Sequence, residues 1–204
     1  MDRFCKSIGA RPTDKLHDGS DLYTLPVIYD PFTKSVVSGT FDIAEHLDKN
    51  YPSCPRIFRF RGMKGLHRVF IDAYKPVDVA LGRLLIPKMI KFVPEESTSS
   101  FRRTMEAWLG EPFEAVYPTG EEEYKAAVKG LENLFGMVDK WYDPEESQPF
   151  IMGSKACFAD LVVISRVWWV RAVLGRDDPL FRDILSWNNS RWGKLLLSVE
   201  TLYK

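Results

Sequence analysis

Cysteine is scarce in this sequence. Cys5, Cys54 and Cys157 form an odd, widely scattered set, so neither a disulfide framework nor a CxxC redox or zinc motif is available. His17, His46 and His67 share no metal-ligand spacing with them, and a metal site finds no support. Net charge is absent as well. The 28 Lys and Arg residues are matched by 28 Asp and Glu, which leaves no global basic field of the kind nucleic-acid affinity rests on. DNA and RNA are therefore excluded as expected partners. Long hydrophobic runs are missing too: the longest apolar stretch, Leu161 to Leu174, is broken by Arg166 and Arg171, the pattern of a buried helix and not of a membrane span. Asp2, Arg3 and Lys6 interrupt the start of the chain, so no secretory signal is present and a cytoplasmic location is expected. Internal repeats and low-complexity segments are also lacking. What remains, 45% hydrophobic and 27% charged residues, describes a globular chain of one large or two small domains.

The most informative stretch is Leu25 to Leu47, LPVIYDPFTKSVVSGTFDIAEHL. Leu25-Pro26 opens the apolar run Val27-Ile28-Tyr29, which reads as a strand with Pro at its first position. Asp30-Pro31-Phe32-Thr33-Lys34 is turn chemistry, and Ser35-Val36-Val37 is a β-branched return strand. Ser38-Gly39-Thr40 supplies a bend and a candidate N-cap, Thr40, for a helix through Leu47. A helix N-terminus presents unpaired N–H groups and partial positive charge, so this bend can receive a carboxylate or phosphate. A plain cap is the simpler reading of Thr40.

Elsewhere, residues 1–8 read as a short helix stopped by Gly9, and Leu16 to Tyr23 as polar loop. Tyr51-Pro52-Ser53-Cys54-Pro55 is a Pro-bracketed linker, and the domain boundary is placed there. Ile57 to Phe92 has helical spacing that Pro76 and Pro87 are expected to kink or divide. Pro94 to Ser100 reads as loop, and Phe101 to Leu109 as a short helix stopped by Gly110. Thr119-Gly120-Glu121-Glu122 reads as a capping box for a helix to about Tyr142. Asp143 to Ser154, with Pro144 and Pro149, is loop. A largely apolar helix from Cys157 to Leu174 is expected to lie inside a bundle, with shorter helices over Phe181 to Trp187 and Trp192 to Leu202.

With these residues in place, Leu25 to Leu47 resembles the second half of a glutathione transferase N-terminal domain, a thioredoxin-like fold in which a cis-Pro opens the third strand. Leu25-Pro26 matches that position, where the residue before the Pro holds the cysteinyl part of glutathione through its backbone. Gly39-Thr40 matches the acidic residue and Ser that bind the γ-glutamyl group; Thr keeps the hydroxyl, and Gly has no side chain for the ammonium. CKSIGARPT, DGS and YTLPVIYDP look most like the fungal etherase-related branch. Gly153 to Asp160 resembles the family's core-helix start, with Asp160 matching and Cys157 in place of the capping Ser or Thr, a loss of roughly 1 kcal/mol of capping. A helix N-terminus lowers thiol pKa, yet a buried structural cysteine is the preferred reading of Cys157.

The resemblance implies an α/β thioredoxin-like N-terminal domain, incomplete, over residues 1–50, a linker over 51–56 and an all-α bundle over 57–204. A complete domain of this kind needs roughly fifty residues ahead of the cis-Pro strand, so the chain is expected to begin inside it, with Met1 an internal methionine and the family's activating Ser, Tyr or Cys absent. No catalytic residue is assigned, Cys5 included. The implied function is conjugation of glutathione, as co-substrate, to small hydrophobic electrophiles, or cleavage of their ethers, impaired by the missing group. A non-catalytic binding or adaptor module of the same fold is the alternative. Tyr74, Trp108 and Trp168 are candidate contacts for the apolar ligand, with plain core as the competing reading. Homodimerisation is implied by the resemblance alone.

Overall fold

The computed structural model describes residues 2–16, 18–59, 62–143 and 148–202. Met1, His17, Pro144 and residues 60–61, which entered the readings above, lie outside them.

Small antiparallel hairpins dominate the first fifty residues. Helix α1 (Asp2–Ser7) ends at Gly9, whose φ of 76° is the left-handed setting that glycine accepts readily. Within the segment expected to be loop, Leu16 to Tyr23, β2 (Asp21–Leu22) instead pairs antiparallel with β1 (Asp14–Lys15) just ahead of it. Lys15 Nζ bonds Asp21 Oδ1 at 2.5 Å, and the Thr13 N–H donates to Leu22 O at 2.9 Å. Strands β3 (Val27–Asp30) and β4 (Ser35–Ser38) pair antiparallel with Val27 opposite Ser38 and Asp30 opposite Ser35. Asp30 builds the turn between them. Its carboxylate accepts the N–H groups of Phe32 and Thr33 at 2.9 and 3.4 Å and is further held by His46 Nε2 at 2.6 Å and the Tyr51 hydroxyl at 2.8 Å. Helix α2 (Thr40–Asn50) follows directly.

The remaining chain is helical: α3 (Met63–Met89), α4 (Glu95–Leu109), α5 (Phe113–Val116), α6 (Glu121–Asp139), α7 (Phe158–Leu174) and α8 (Pro179–Leu202). Several expectations change here. Helix α3 starts at Met63, directly after Gly62 at a left-handed φ of 92°, while the Ile57 and Phe58 N–H groups are held outside it by the Asp48 carboxylate at 2.7–3.1 Å. It then runs through Pro76 without division: Pro76 is exposed, so the carbonyl that loses its partner can turn to water. Helix α4 includes residues expected to be loop; Pro94 caps it, and Glu95 and Glu96 complement the dipole of its first turn. The start of α6 is shifted by one residue, with Gly120 as the cap and Glu123, not Glu122, accepting the Thr119 N–H at 3.2 Å. In α8, Asn188, Asn189 and Ser190 all take left-handed φ values of 53–60°, which breaks the helix where two were expected.

Helix α7 packs against α3 and α8, with Val163, Ile164, Val167 and Val170 fully buried. Phe41 on α2 joins the N-terminal part to this core. Its ring lies 5.0 Å from Phe58 and 5.2 Å from Phe158, while the Arg68 guanidinium covers it at 4.1 Å.

Candidate functional site

The β3–β4 register carries the site. With Val27 opposite Ser38, the next residues outward are Pro26 and Gly39, and the Gly39 N–H donates to Pro26 O at 3.1 Å. Leu25-Pro26 and Gly39-Thr40 are thereby brought side by side at one end of the hairpin. The Leu25–Pro26 peptide is cis, and Leu25 is 63% exposed. Gly39, and not Thr40, is the cap residue of α2, and it makes no side-chain cap bond. Thr40 is therefore the first helical residue; its hydroxyl is exposed and unpartnered among the described residues, so the plain-cap reading is corrected. The corner combines an exposed backbone edge at Leu25, a helix N-terminus and a free hydroxyl.

Sequence reasoning missed the groups that brace this corner. The Arg11 N–H donates to Ser38 Oγ at 2.9 Å, and Thr13 Oγ1 and Thr24 Oγ1 share a hydrogen bond of 2.7 Å. A side chain added at Gly39 would touch Thr13 Cγ2 at 3.6 Å. These contacts depend on the β1–β2 hairpin folding back. No local pattern in the sequence announces them.

The three aromatic candidates have different neighbours. Tyr74 is fully buried and stacks on Phe70 at 5.9 Å, with its hydroxyl unpartnered and its pKa pushed far up by burial. Trp108 lies over Gly82, where an added Cβ would meet its ring at 3.4 Å. Trp168 faces α8, donating from Nε1 to Glu200 at 3.3 Å. A depression of about 540 Å³ lined by Asp18, Glu106, Ala107, Gly110, Glu111 and Pro112 includes none of these aromatics and none of the four corner residues.

At the start of α7, the Asp160 carboxylate accepts the Cys157 and Ile151 N–H groups, both at 2.9 Å. Cys157 is 1% exposed, and burial pushes its thiol up to about 12, the opposite of an activated thiolate. Cys5 is also buried, against Ala10 and Tyr23.

This arrangement, a small sheet with a cis-Pro strand ahead of a helical bundle, defines the glutathione transferase class of fold. Residues 65–203 match the sequence model of the glutathione S-transferase C-terminal domain, and the chain belongs to that family. Glutathione S-transferase-like protein ustS of Aspergillus flavus is 28% identical over 186 residues, covering 87% of this chain and 66% of that protein. The chain thus spans just under two thirds of that curated relative. Among solved structures, the glutathione S-transferase CsGST83044 of Ceriporiopsis subvermispora, in complex with glutathione, is 33% identical with a TM-score of 0.88, covering 98% of this chain and 80% of that one. Glutathione transferase GSTFuA3 of Phanerochaete chrysosporium is 29% identical with a TM-score of 0.86, covering 98% and 78%. The fold is accordingly thioredoxin-like at the N-terminus and a helical bundle beyond it.

Proposed function

We propose that the Leu25–Thr40 corner binds glutathione, the Leu25 backbone pairing with the cysteinyl unit and the α2 N-terminus with Thr40 receiving the γ-glutamyl carboxylate. The observation that carries this reading is the juxtaposition of Leu25-Pro26 and Gly39-Thr40 through the Gly39–Pro26 hydrogen bond of 3.1 Å. The glutathione held by CsGST83044 adds support by relation. In this reading the chain is a glutathione transferase acting on small hydrophobic electrophiles in the cytosol, by conjugation or by ether cleavage as in the etherase-related branch. Residues 1–50 form the glutathione-binding domain, 51–56 the linker and 57–204 the bundle. Catalysis also requires a donor that keeps the sulfur as thiolate, and none is assigned among the described residues. Gly39, without a carboxylate for the ammonium, favours a second reading as a glutathione-binding module without turnover.

Retention on immobilised glutathione followed by a thiol-conjugation assay separates the two. Turnover identifies the transferase, binding without turnover the module, and absence of retention overturns both. Thr40→Ala sharpens the test, since Thr40 caps nothing: stability should change by less than about 0.5 kcal/mol, while glutathione retention weakens. A homodimer is also part of the proposal. It is supported by Leu66 and Val69, 61% and 64% exposed on one stripe of α3, and light scattering at the monomer mass would overturn it.

A further inference from the structure

Three stretches of the chain converge at the start of α7. His67, Phe70 and Tyr74 are spaced three and four residues apart on α3 and so share one stripe of it. Phe70 packs edge-on against Trp141, just past the end of α6, at 5.2 Å, and His67 packs against Phe158 at 6.0 Å. Tyr142 is thereby brought to both α3 and the first turn of α7: its hydroxyl faces the Asp160 carboxylate and lies within electrostatic range of Tyr74. Tyr74 and Asp160 are 0% exposed and Tyr142 3%, yet neither phenol hydroxyl has a hydrogen-bond partner of good geometry within the protein. The Asp160 carboxylate accepts one backbone N–H on each oxygen, from Ile151 and from Cys157, and both oxygens keep further acceptor capacity. An unbonded buried hydroxyl costs more than an ordinary hydrogen bond returns, and protein interiors leave few of them.

We propose that this junction is a binding site for one internal water molecule, which accepts hydrogen bonds from the Tyr74 and Tyr142 hydroxyls and donates one to the Asp160 carboxylate. Three bonds to otherwise unmatched polar groups are what a buried water ordinarily makes. The water completes the solvation of a fully buried carboxylate whose bonded neighbours are N–H, S–H and O–H groups and not a cation, and its own immobilisation costs little against that gain. It also places one polar node between α3, the end of α6 and α7, inside a core that is otherwise held by apolar contact. The proposal does not depend on glutathione binding at the corner.

A high-resolution crystal structure of the full chain tests it directly: one water should lie within hydrogen-bond distance of both hydroxyls and of Asp160. The thermal melts of Tyr74→Phe and Tyr142→Phe add a test that turns on sign. If the hydroxyls were unbonded, removing either would relieve the interior and raise the melting temperature. With the water in place, each variant should instead melt about 2–4 °C lower, the shift that one net hydrogen bond produces in a chain of this length. The double variant should lose clearly less than the sum of the two, because both hydroxyls act through the same molecule. A junction without water, a raised or unchanged melting temperature in either single variant, or strictly additive losses would overturn the proposal.

Discussion

Gly39 holds φ at 85° immediately before α2, a setting that side chains rarely adopt. Space is not the obstacle there, since an added Cβ meets only Thr13 Cγ2 at ordinary contact distance, 3.6 Å. Gly39→Asp should therefore cost about 1–2 kcal/mol of backbone strain yet place a carboxylate beside the proposed ammonium position. A lowered melting temperature together with stronger retention on immobilised glutathione is the expected pair of results. His67 makes a pH prediction. It is 4% exposed, packed edge-on against Phe58 at 5.4 Å and Phe158 at 6.0 Å, with Nε2 unpartnered. Burial lowers its pKa below the ordinary 6.5, against a weaker upward pull from Asp160. Above pH 6.5 the ring is neutral in both folded and unfolded chains; as pH falls through that value the unfolded chain protonates first and stability declines. His67→Phe should flatten the dependence of melting temperature on pH between about 5 and 7. An unchanged slope would show that other groups set it.

At the level of elements, the β3–β4 hairpin is fastened at both ends by polar contacts: Gly39 to Pro26 at one, and Asp30 at the other. Hydrogen bonds from His46, Tyr51, Thr33 and Phe32 hold the Asp30 carboxyl well below its ordinary 3.8, with His46 the largest influence and burial opposing them. The stability this provides is complete above that ordinary value and is lost as pH falls below it. Asp30→Asn should lower the melting temperature at pH 7 and make acid unfolding less steep, which circular dichroism melts from neutral to acid pH would register. The β3, β4 and α2 segments were legible because their signals are local: β-branched runs, Asp-Pro turn residues and a Gly-Thr bend. The β1–β2 hairpin was not, since two-residue strands have no period to detect. The first turns of α4 were misread because Ser and Thr dominate residues 97–100, while the informative features, Pro94 and the acidic pair Glu95-Glu96, lie at the margin.

Across the whole molecule, the chain's two parts meet in an aromatic seam whose members, Phe41, Phe58 and Phe158, are scattered along the sequence. No spacing rule relates them, which is why the joint between the parts was unreadable although each part was recognisable. The same holds for the corner: Leu25, Pro26, Gly39 and Thr40 were legible through turn chemistry and resemblance, whereas Thr13 and Thr24 met only through tertiary folding. Phe158 stacks on Phe58 at 5.2 Å and is 3% exposed. Phe158→Ala should lower stability by about 3–5 kcal/mol in a denaturant titration. The seam also has a consequence in time. Phe41 follows Thr40 directly, so the first turn of α2 cannot swing open without pulling a ring out from between Phe58, Phe158 and Arg68. The hydrogen-bonded amides of α2, beginning with the Ile43 N–H that donates to Gly39 O at 2.9 Å, are thereby tied to the buried core of the bundle. In hydrogen exchange, these amides, from Ile43 onward, should trade deuterium at the pace of α7, and a ligand seated at Thr40 would experience a wall and not a gate.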